Sequence, residues 1–141
     1  MKINIVENTV LDLVMKDLPA ESESDFKQSD SLDKAKSKFS INVEFEEESF
    51  FVTFNLKLAT ADGKGIIVSF KSKFVTDMPI DEDFKKSAFP YVNAPAISYP
   101  YLRVFISNLT LNSGYDPVML PSINFVALKD KTMRRNKSLE S

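Results

Sequence analysis

Two carboxylate clusters, Glu46-Glu47-Glu48 and Asp81-Glu82-Asp83, are the groups in this sequence best suited to hold an ion, since carboxylates are the ligands of hard cations such as magnesium and calcium. Neither follows the spacing of a ligand loop, and each reads as a solvated turn or a helix start. Gly63-Lys64-Gly65 is too short to cradle a phosphate and reads as a hairpin turn. Asn108-Leu109-Thr110 has the pattern of a glycosylation acceptor, but it falls inside a predicted helix. Arg134 and Arg135 could meet RNA or an acidic partner, and read as part of a solvated tail. The 141 residues include no histidine and no cysteine. The commonest general base, thiolate chemistry, disulfides and Cys-ligated zinc are thereby closed. We expect no catalytic residue, no metal and no cofactor.

The remaining candidate is apolar. In residues 115–128, YDPVMLPSINFVAL, two prolines break both helix and strand. Tyr115, Val118, Met119, Leu120, Ile123 and Phe125 then lie on a hydrophobic loop, which must either pack down as a flap or wall a groove for something apolar. That occupant could be a polypeptide or a small hydrophobic ligand.

The elements that would position this loop are legible around it. Phe39, Ile41, Val43 and Phe45 alternate with polar residues, as do Phe50, Val52, Phe54, Leu56 and Leu58, and then Ile66, Val68, Phe70 and Phe74. A period of two gives three antiparallel strands with one apolar and one polar face. Phe51 on the polar face is either a contact for a partner or a cross-strand packing residue. Residues 3–18 predict a further strand with a break or bulge near Asn8, and residues 19–38 predict a solvated connection. Asp81 to about Ser87 predicts a short helix. A longer one runs from Tyr99 or Pro100 to a glycine cap at Gly114. That helix is apolar around most of its circumference, so one sheet face cannot satisfy it, and Tyr101, Leu102, Phe105, Ile106 and Leu109 are expected at an interface between copies of the chain. Residues 129–141 read as a polar, basic tail expected to be disordered. The net charge of −2 gives no reason to expect nucleic-acid binding. No apolar run suggests a signal peptide or membrane insertion, so a cytoplasmic single domain is expected.

Residues 93–128 carry a resemblance. Ala96-Ile97-Ser98-Tyr99-Pro100-Tyr101-Leu102-Arg103, followed after a glycine-marked turn by Leu120-Pro121-Ser122-Ile123-Asn124-Phe125-Val126-Ala127-Leu128, resembles the signature of the SecB export chaperones. The resemblance implies an α+β fold over residues 1–128. Its four-stranded antiparallel sheet would have one face covered by helices, and the chains would assemble as a dimer of dimers, a homotetramer. It also implies ATP-independent binding of unfolded polypeptides or preproteins in hydrophobic grooves, here with Tyr99, Tyr115, Val118, Met119, Leu120, Ile123 and Phe74 as groove residues. Two features depart from the family pattern. The strand over 65–76 offers Lys71 and Lys73 where family members that pass clients to the SecA motor carry acids, and the second helix expected after Leu128 is replaced by the polar tail. Both predict poor docking of SecA, and a dedicated client such as a toxin–antitoxin pair becomes an alternative to general export.

Overall fold

The computed structural model describes residues 1–18 and 36–140. Four strands, β1 (Ile3–Asp17), β2 (Lys36–Phe45), β3 (Ser49–Ala59) and β4 (Lys64–Thr76), precede three helices, α1 (Glu82–Lys86), α2 (Ala94–Asn112) and α3 (Phe125–Glu140). The strands form one antiparallel sheet in the order β1-β4-β3-β2. This is the α+β architecture expected. Most of the connection predicted over 19–38 lies outside the described residues, but Lys36, Ser37 and Lys38 already belong to β2.

Register explains the core. Phe50 pairs with Phe74, Phe54 with Phe70, Leu56 with Val68 and Leu58 with Ile66, so the inward set of β3 meets the inward set of β4 side by side. All eight are buried, and the Phe50 and Phe74 rings stack with centroids 5.0 Å apart. The inward row of β4 is interrupted by Ser72. Its hydroxyl donates to Asn8 Oδ1 at 2.6 Å and shares a 2.5 Å hydrogen bond with the Ser98 hydroxyl of α2. A buried hydroxyl needs such partners, and these tie β1, β4 and α2 together. The bulge expected in this strand near Asn8 is present, as register slips on either side of it, between Ile5 and Glu7 and between Val10 and Asp12.

α2 starts earlier than its prolines suggest. A single π-helical turn over Phe89–Asn93 leads into it, and Pro100 sits inside the helix. Proline there removes the bond to the Ala96 carbonyl, and the loss is tolerated because Ala96 and Pro100 both lie on the solvent side. The helix ends as expected at Gly114, whose φ is 92°. Tyr115 N–H donates to the Thr110 carbonyl and Gly114 N–H to that of Leu111, the two bonds of a Schellman cap.

The disordered basic tail is corrected. Residues 129–140 continue α3, which opens on Asn124 as N-cap, its Oδ1 accepting from Ala127 N–H at 3.2 Å. Phe125, Thr132 and Asn136 are buried and Leu128 and Met133 partly so. That face has helical spacing, but two of its buried members are polar, which hid it in the composition. A second helix after Leu128 is thus present.

Candidate apolar groove

The loop between α2 and α3 is held at both ends and in the middle. Thr110 Oγ1 accepts from Val118 N–H at 2.9 Å while donating to the Ile106 carbonyl. The Tyr99 hydroxyl donates to the Pro121 carbonyl at 2.6 Å. Burial pushes the Tyr99 hydroxyl well above its ordinary pKa, with nearby Arg103 opposing, so it remains a donor. The Tyr99 ring meets Phe39, Phe54 and Phe125 edge-on. At the start of the loop Lys64 lies over the Tyr115 ring and pairs with Asp17. The Asp17 carboxylate, aided by Tyr115, holds the Lys64 ammonium above its usual value.

This anchoring divides the predicted groove residues. Phe74, Tyr99 and Leu120 lie in the core, Leu120 at only 1% exposure, and none is open to a partner. Val118 and Ile123 are half-buried against that core, and Tyr115 is half-buried over Lys64. Met119 is 70% exposed, its Sδ accepting from the Ser107 hydroxyl at 3.4 Å. With Leu120 below it and Pro100, Arg103, Val104, Ser107 and Asn108 of α2 opposite, it lines an open groove of about 300 Å³.

The predicted interface set divides too. Leu102 and Ile106 are fully buried against the chain's own sheet, Phe105 and Leu109 are half-buried, and Tyr101 is 49% exposed. Sequence reasoning missed the residues beside Tyr101. Ile97, Tyr101, Val104 and Leu111 are all exposed, Val104 at 59%, and with Asn108 they are spaced four, three, four and three. That is the spacing of a coiled-coil seam with one polar position, and the heptad period would have found it. A second uncovered apolar surface runs along β1, where Val6, Val10, Leu11, Leu13 and Val14 are exposed. On the polar sheet face Phe51 lies under Lys71, 4.3 Å from the ring centroid, and Lys73, a cross-strand packing role. Among the described residues no cluster of three His, Cys, Asp or Glu could hold a metal ion, and no helix is long and apolar enough to cross a membrane.

An open groove between α2 and the loop that follows it thus lies beside a helix with an uncovered apolar stripe, and exposed apolar surfaces of this kind mark binding sites. The family model "Preprotein translocase subunit SecB" matches residues 6–136. The chain belongs to the SecB family. It is 30% identical over 131 residues to the protein-export protein SecB of Magnetococcus marinus, covering 84% of this chain and 80% of that protein. SecB of Anaplasma phagocytophilum is 33% identical over 60 residues, 43% of this chain and 37% of the relative. The fold is that of the SecB-like chaperone Rv1957 of Mycobacterium tuberculosis, solved with a ChAD peptide from the antitoxin HigA1. The TM-score is 0.61 at 16% identity, with 84% of this chain and 86% of that one covered.

Proposed function

We propose that the chain is a cytoplasmic holding chaperone that captures unfolded polypeptide without ATP and without covalent chemistry. Met119 and Leu120 face Pro100, Arg103, Val104, Ser107 and Asn108 across the groove, and the half-buried Val118, Ile123 and Tyr115 of the same loop extend the surface offered to a client. The exposure of Met119 carries the reading. A thioether that tolerates many shapes stands out from a loop whose neighbours are fixed, so client burial costs little further ordering. Many such weak contacts along one client add up. The antitoxin peptide bound by Rv1957 favours a second reading, service to one dedicated client. Assembly would use the two uncovered surfaces, β1 edge against β1 edge to make a dimer and the α2 seam to join dimers into the homotetramer.

Met119→Ser should weaken binding of an unfolded client about ten-fold, the loss of roughly 1.4 kcal/mol of burial. Thermal unfolding should stay within about 0.5 kcal/mol of the unmodified protein. Leu120→Ser should instead destabilise the fold by about 3 kcal/mol. Unchanged holding by the Met119 variant would overturn the groove. SecA docking is predicted to be weak because Lys71 and Lys73 present positive charge on the polar sheet face, and interface charge governs encounter and specificity. The other ground for this expectation is gone, since α3 is present. Titration of SecA at physiological salt checks it, and saturation at low micromolar concentration would refute it.

A further inference from the structure

The sheet face turned away from the core carries a pocket of about 470 Å³ beside the β2 border, within the size range of small-ligand sites. Two cross-strand rows build it. Lys38, Lys57 and Ile67 pair in register across β2, β3 and β4, and Ser40, Asn55 and Ser69 form the next row. Lys38 and Lys57 are exposed and directly opposite one another, and like charges so placed destabilise a strand pair. Among the described residues neither lysine forms an ion pair, and no carboxylate lines the pocket. A third cation comes from the helical layer. Arg135 of α3 lines the pocket and donates from Nη1 to the Ile41 carbonyl at 3.5 Å, while its neighbour Asn136 bonds both the N–H and the carbonyl of Val43 and fixes that turn of the helix against β2. The guanidinium is thereby held in place, with its other N–H groups left to donate. In the second row the Ser69 hydroxyl donates to Asn55 Oδ1 at 2.8 Å, so the Asn55 carboxamide also has its N–H groups left to donate.

We propose that this pocket binds an oligophosphate, either free or as the phosphate chain of a nucleotide. Three cations with no acid among them call for several negative charges on one compact ligand, and phosphate oxygens suit both a guanidinium fork and ammonium groups. Bound between Lys38 and Lys57, the anion turns their mutual repulsion into attraction to a shared partner. Ser40 and the Asn55 amide donate to its remaining oxygens, and Ile67 meets a base where one is attached. The pocket lies on the opposite side of the sheet from α2 and the Met119 groove, so the inference goes beyond the holding function and does not rest on it.

Calorimetric titration of the full-length protein with inorganic triphosphate, in magnesium-free buffer at physiological salt, tests this. Triphosphate should saturate one site per chain, and orthophosphate should bind at least about ten-fold more weakly, having fewer oxygens and charges to share among the three cations. Lys38→Gln and Lys57→Gln should each weaken triphosphate about ten-fold, the loss of one charge-assisted hydrogen bond. Lys86→Gln, which removes the same charge from an exposed residue of α1 outside the pocket, should change nothing. Melting temperature supplies a second reading. Lys57→Gln should melt higher than the unmodified protein when both are free, because the opposed charges are gone, and should lose the rise that triphosphate gives the unmodified protein. ATP binding tighter than triphosphate assigns the site to a nucleotide, and equal binding assigns it to the free oligophosphate. No saturation at millimolar triphosphate, or an equal loss in Lys86→Gln, would overturn the proposal. So would hexaglutamate bound as tightly as triphosphate and weakened by the same pocket variants, which would make the face a dock for acidic polypeptide.

Discussion

The two borders of the sheet face the same problem and meet it differently. A border strand presents unpaired backbone groups and invites another chain. At β2 the protein answers from within, through Asn136 and Arg135 of α3. At β1 fifteen residues run along the border with two register slips, and Leu11 beside one of them is 54% exposed. Bulges twist a border strand and Glu7 and Asp12 put charge on it, yet Val6, Val10, Leu11, Leu13 and Val14 stay exposed among them. One border is covered by the chain's own helix, and the other is left uncovered in the single chain.

Removing the anchor of α3 should break this contrast most severely. Phe125→Ala takes away a ring packed between Phe54 and Tyr99 and should cost about 4 kcal/mol. Amide exchange would then rise along β2 toward the rate of an unprotected border, with β1 unchanged. Equal loosening of both strands would show that α3 is not what distinguishes them. A smaller effect is expected at the other border. Leu11→Asp should weaken assembly by roughly 3 kcal/mol for each interface that buries the charge, and light scattering would report a lower mass. Stability of the single chain should change by less than about 0.5 kcal/mol. An unaltered mass would remove β1 from the assembly.

The smallest effect concerns pH. Lys64 has its pKa raised in the folded protein above the unfolded value of 10.5, chiefly by the Asp17 carboxylate. Its contribution is therefore complete below pH 10.5 and is lost as pH rises past the folded value. Lys64→Met should follow the unmodified protein at a constant small offset up to that point and converge with it above. An offset that persists in strong alkali would mean the pair does not anchor the loop.

How much of this was legible depended on where each residue's partner lies. β3 and β4 could be read because Phe50, Phe54, Leu56, Ile66 and Val68 alternate strictly and their partners have the same period. α3 could not be read from composition: Thr132 and Asn136 look like solvent residues until Asn136 is seen against Val43, 93 positions away. Pro100 hid the first turns of α2 because its cost depends on which side of the helix meets water. Within the groove the apolar loop was evident, yet Met119 and Leu120 are neighbours with opposite environments. A loop without periodicity gives no rule for telling them apart.

The hydroxyl of Ser72 bonds Asn8 on the border strand β1 and Ser98 near the start of α2. Viewed mechanically, it is a rivet through two strands of the sheet and the helix above them. A load applied along β1, as when a partner strand pulls on it, passes through this fastening to the foot of the helix that carries the Tyr101–Val104 stripe. Neither surface can slide by the length of a hydrogen bond without straining the other.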